Sequence, residues 1–139
     1  MPDSIKTARI AFVVAAGLEF ATAALFAFIF ISGAALVGWG SEGRGLLGSA
    51  LLGTTGVLLA VAFAAFGVAD LVIAAGIAKG QPWAKFAGVA MAVLLLAGVP
   101  VGTVLGIIAL LGLLGGDARD WFAGASVSRH APRVPPSTV

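Results

Sequence analysis

The chain has 139 residues, 60% hydrophobic and 10% charged, against roughly half and a quarter in soluble domains, so the composition excludes a soluble globular protein. The formal net charge is +2, but the lysines and arginines stand at the ends of apolar runs, where they orient membrane helices, and no nucleic-acid site is expected. There is no cysteine, which removes disulfides, thiol catalysis and thiolate metal sites.

A short polar start, Met1 to Lys6, leads into an apolar run from Ile10 to Val37 that only Glu19 interrupts. The expected first membrane helix covers residues 8–38. A secretory signal is the rival reading, since Lys6 and Arg9 precede the run and Ala21-Thr22-Ala23 resembles a cleavage site. The run continues past that site, so cleavage would leave a chain starting in mid-membrane. Trp39 to Gly48 is glycine-rich and polar, with Glu42 and Arg44, and reads as a loop with an aromatic anchor. The second helix is expected over 49–78, broken only by Asp70. It ends at Lys79-Gly80-Gln81-Pro82-Trp83, where glycine closes one helix and proline opens the next.

Between Lys85 and Asp117 no residue is charged. One helix from Ala84 to Leu114 would be about 46 Å long against a hydrocarbon core of roughly 30 Å. Gly98, Pro100, Gly102 and Thr103 supply a turn at its middle, because proline lacks an amide hydrogen and disfavours helix in the residue before it. Two helices, about 82–99 and 103–115, are therefore expected as a hairpin, with a single proline-kinked helix as the alternative. Asp117 to Phe122 reads as a short interfacial segment, and 123–139 as a disordered cytoplasmic tail in which His130 is a solvated side chain.

The expected fold is all-α: one domain over 1–122, a bundle of four transmembrane helices in two hairpins. With both termini inside, Lys6, Arg9, Lys79, Lys85, Arg119, Arg129 and Arg133 lie on the cytoplasmic side and only Arg44 outside, as the positive-inside rule requires. Small residues at helical spacing, among them Ala11 and Ala15, Ala60 and Ala64, and Gly98, Gly102 and Gly106, permit close packing.

The candidate chemistry lies in two acids. Glu19 is 10 residues beyond Arg9 and Asp70 is nine before Lys79, which puts both about 13 to 15 Å deep on antiparallel helices. Whether they face each other depends on helix rotation. An acidic residue at mid-membrane costs about 2.5 to 3.5 kcal/mol on insertion scales, and no lysine or arginine shares this depth. Two such carboxyls close together would share a proton and suit exchange with a cation. Alternatively, each acid simply hydrogen-bonds across the bundle through Thr22, Thr54, Thr55 or a backbone carbonyl. A catalytic pair is disfavoured, with no histidine or tyrosine in the membrane to complete a site. No metal site and no cofactor are expected.

Pro100-Val101-Gly102-Thr103-Val104-Leu105-Gly106-Ile107, with Trp83-Ala84-Lys85 before it and Ala109-Leu110-Leu111 after, resembles the second half of small bacterial four-helix membrane proteins of mostly uncharacterised function. The resemblance implies four spans in a bacterial inner membrane and brings no activity. Ala16-Gly17-Leu18-Glu19-Phe20 is similar to the start of the small multidrug resistance transporters, in which a first-helix glutamate binds protons and cationic substrates in turn. This chain departs from them in having no tyrosine and in carrying Asp70. The first functional expectation is a non-enzymatic membrane protein of structural or regulatory role, a homo-oligomer or a partner subunit of another membrane protein. The alternative is a proton- or cation-coupled small transporter using Glu19 and Asp70.

Overall fold

The computed structural model describes residues 1–40, 45–98 and 100–130, with side chains to residue 124. Five helices follow in order: α1 (Asp3–Gly40), α2 (Leu46–Ala78), α3 (Pro82–Leu95), α4 (Val101–Leu114) and α5 (Gly116–His130). Among the described residues there is no strand. An all-helical fold follows from the composition, because apolar surroundings leave backbone N–H and C=O groups only each other to bond. Two helices are long and apolar enough to cross a membrane, or three if α4 and α5, bent by 61° at Gly115, form one span. Taken alone, α3 and α4 have 14 residues each, about 21 Å of helix against a core of roughly 30 Å.

Several boundaries differ from those read off the hydropathy. The first helix starts at Asp3, because Lys6 N–H bonds the Pro2 carbonyl and the Thr7 hydroxyl donates to the Asp3 carbonyl. Lys6 also pairs with Asp3 at 2.9 Å. Helical hydrogen bonding thus extends into polar sequence that hydropathy leaves out. At the other end α5 runs on past Phe122 to His130, so the first residues assigned to a disordered tail are helical. The expected loop residues 41–44, the tail from 131 to 139 and Val99 lie outside the described residues.

The chain forms two compact units, one of residues 13–71 and one of Met1–Phe12 with the chain from Val72 onward. The first is the paired length of α1 and α2. Phe20 packs on Gly67, Phe26 stacks on Phe63 with ring centroids 5.4 Å apart, Phe30 packs on Gly56, and Ala34 and Val37 approach Gly53 and Gly48. This is one continuous antiparallel register. On α2 the seam residues Gly53, Gly56, Ala60, Phe63 and Gly67 alternate steps of three and four, the heptad spacing that keeps one stripe facing a partner helix.

In the second unit, α2 ends with two bonds, Gly80 N–H to the Ile77 carbonyl and Gln81 N–H to the Gly76 carbonyl, with Gly80 at φ 61°. That is the glycine-terminated helix end in which only a residue without Cβ is unstrained. Pro82 then opens α3. The Trp121 indole donates to the Ile77 carbonyl at 3.1 Å, which ties α5 to the end of α2.

The α3–α4 turn is closed by Thr103. Pro100 has no N–H for the Leu96 carbonyl four residues back, and the Thr103 hydroxyl donates to that carbonyl instead, at 3.0 Å. The helices then return antiparallel in close contact: a Cβ at Gly106 would lie 2.6 Å from the Ala92 carbonyl oxygen, and one at Gly88 would lie 2.8 Å from Leu113 Cδ1. Gly112 meets α1 equally closely, 2.6 Å from the Ser4 carbonyl oxygen by the same measure.

Gly106→Ala should destabilise the protein by about 1–3 kcal/mol, since the obstructing atom is backbone and cannot rotate away. Gly17→Ala, with nothing within 4 Å, should be neutral or stabilising by up to about 1 kcal/mol. Thr103→Val should cost about 1–3 kcal/mol by leaving the Leu96 carbonyl without its donor. Thermal unfolding in detergent, followed by helical circular dichroism, compares the three.

Candidate functional site

The seam of the first hairpin positions the two acids. Asp70 continues the α2 stripe three residues after Gly67, and Glu19 precedes Ala23, Phe26 and Phe30 on the matching stripe of α1. With Phe20 opposite Gly67, the register puts Glu19 at the level of Asp70. Their facing is therefore set by the glycine and phenylalanine seam rather than by the acids themselves. Ala15, Ala16 and Ala23, the small neighbours of Glu19, are all buried.

Asp70 is 0% exposed. Neither of its oxygens has a hydrogen-bond partner, and Glu19 Oε2 is likewise buried and unpartnered. Among the described residues neither acid has an ion-pair partner. Buried polar atoms are ordinarily paired, and each exception calls for a reason.

The alternative of hydrogen bonds across the bundle is not met at Asp70 or at Glu19 Oε2. The Thr22 hydroxyl donates to Leu18 O of its own helix at 2.8 Å, a local bond typical of hydroxyls in membrane helices. Thr54 and Thr55 are exposed. Gly98, Pro100, Gly102 and Thr103 serve the α3–α4 turn. Among the described residues no group of three or more His, Cys, Asp or Glu side chains could hold a metal ion.

Sequence reasoning named Ala60 and Ala64 as the small face of α2 and passed over Gly53, Gly56 and Gly67. The alternating steps of three and four from Gly53 through Gly56, Ala60 and Phe63 to Gly67 were the available signal, and they also lead to Asp70. The Trp121 bond to the Ile77 carbonyl had no signal, because it joins residues 44 apart through a backbone atom.

These features define an all-α membrane protein with a pair of carboxyl groups inside its first hairpin. No protein-family model, curated protein or solved structure matches the chain.

Because Glu19 Oε2 and both Asp70 oxygens are buried without protein partners, replacing the two acids together, Glu19→Leu with Asp70→Val, should raise stability by about 1–3 kcal/mol. The thermal midpoint of the reconstituted double variant against the unaltered chain measures this; a lowered midpoint would mean that the pair holds the hairpin together.

Proposed function

We propose that the chain is a small, non-enzymatic membrane protein of four spans with both termini in the cytoplasm, acting as a structural or regulatory subunit in a homo-oligomer or beside another membrane protein. The observation that carries this reading is the excess length of the paired apolar helices. Residues 13–39 of α1 and 46–71 of α2 amount to about 39 to 40 Å of helix each. A core of roughly 30 Å would take them alone only at a tilt of about 40°, the upper end of the usual range. Large apolar side chains stand exposed toward the turn, with Leu36 at 70%, Leu47 at 79% and Leu51 at 69%. Neighbouring helices from a second copy or a partner would cover them.

The seven-to-one distribution of basic residues supports the orientation, and the resemblance to small bacterial four-helix proteins supports a bacterial inner membrane. In this reading the α3–α4 hairpin crosses with help from its flanking turn residues. A second reading, the proton- or cation-coupled transporter, is favoured by the unpartnered carboxyl oxygens of Glu19 and Asp70.

Native mass measurement in lipid nanodiscs should give a multiple of 13.7 kDa. A monomer whose proton or cation flux in proteoliposomes is lost in Glu19→Gln would overturn the subunit reading in favour of the transporter.

The natural chain has no cysteine, so single-cysteine labelling reads the topology directly. With an impermeant maleimide, Gln81→Cys should react only from the cytoplasmic side and Ala97→Cys only from the opposite side. Protection of Ala97→Cys from both sides in sealed vesicles would make α3–α4 a re-entrant hairpin.

A further inference from the structure

We propose that Glu19 and Asp70 form an intramembrane proton-binding site, two carboxyl groups that hold one proton between them. The site is the one invoked by the transporter reading, but its occupation by a proton requires neither flux nor a particular oligomer.

Asp70 is fully buried, and neither of its oxygens is bonded to protein. A carboxyl group so placed has acceptor capacity aimed into the seam and no donor from the protein to fill it. Across the seam stands a second, half-buried carboxyl, of which one oxygen, Glu19 Oε2, is buried and unpartnered. Glu19 comes from α1 and stands at the level of Asp70 by the Phe20–Gly67 contact, and among the described residues neither acid has an ion pair. The pair needs positive charge, or a donor, from outside the protein.

The surroundings select which one. Calcium and magnesium take six or more oxygens; the two carboxyls supply at most four, and Thr22 Oγ1 is held against Leu18 O of its own helix at 2.8 Å. An organic cation needs room, yet the Phe20 ring fills the space over Gly67, three residues from Asp70, within 3.0 to 3.2 Å of where a Gly67 Cβ would stand. One proton satisfies both acids at once: it turns one carboxylate into a donor and leaves the other as its acceptor. It arrives from water as hydronium and leaves water behind, so no other bond is made or broken.

The chain has two glutamates, Glu19 and Glu42, so 13C-glutamate labelling gives two side-chain carboxyl signals, which Glu19→Gln assigns. In a pH titration in lipid nanodiscs, the Glu19 signal of the unaltered chain should move in two steps. In Asp70→Asn it should move in one, with its midpoint displaced by more than about one pH unit, a tenfold change in proton affinity. Identical titrations in the two proteins would overturn the proposal.

Addition of sodium, potassium, magnesium or tetraphenylphosphonium at fixed pH should leave the Glu19 signal in place; displacement by any of them would assign the site to that cation instead. Should Asp70→Asn not fold, 13C-aspartate in the unaltered chain decides, because Asp70 and Glu19 must then titrate in step, and independent curves overturn the pair. Absence of proton flux would remove the transporter reading while leaving a coupled titration standing.

Discussion

Lipid hydrocarbon gives two apolar helices little reason to leave it for each other, so their association depends on how near their backbones can come. Glycine sets that distance here. At Gly56, Gly76, Gly88, Gly106 and Gly112 a Cβ would press into the opposing side chain or carbonyl: Gly56 sets α2 against α1, Gly76 sets the end of α2 against α3, Gly88 and Gly106 set α3 against α4, and Gly112 sets α4 against the start of α1. The phenylalanines of α1 are the complement: Phe20 and Phe30 fill the spaces that Gly67 and Gly56 leave open. Where a turn or a proline takes away a helical bond, a side chain or a glycine-terminated cap replaces it, as Thr103 does for the Leu96 carbonyl.

The same seam explains why two acids meet. The glycine and phenylalanine contacts fix both rotation and register, and Glu19 and Asp70 occupy facing positions one turn further along. Their burial is a consequence of packing that would be as good, and by ordinary energetics better, with apolar residues in their place. Their chemistry therefore lies in what they bind rather than in what they hold together.

Much of this was legible in the sequence. Helix type, the break at Pro100 and the equal depth of the two acids followed from hydropathy, from proline's missing amide hydrogen and from the rise per residue. Facing of the acids was in principle legible too, because Gly53, Gly56, Phe63, Gly67 and Asp70 share one heptad stripe, but the abundance of alanine on α2 hid it. Helix ends were less accessible: α1 begins in polar sequence at Asp3 and α5 continues beyond Phe122, and in both places helical hydrogen bonding extends past the apolar run. The bond from Trp121 to Ile77 O depends on three-dimensional placement that no local pattern encodes.

The carboxyl pair depends on the register of α1 against α2, and that register has a direct chemical test in a cysteine-free chain. A Cβ at Gly53 would lie 3.7 Å from Ala34 Cβ, within the roughly 3.5–4.5 Å that a disulfide spans. Mild oxidation of the Ala34→Cys/Gly53→Cys double variant should therefore give an intramolecular crosslink in high yield, seen as a faster-migrating monomer on non-reducing gels. The pair Ala34→Cys/Ala60→Cys, two turns out of register, should stay reduced. Crosslinking of the second pair with the first left open would shift α2 along α1, separate Glu19 from Asp70 and contradict the carboxyl pair.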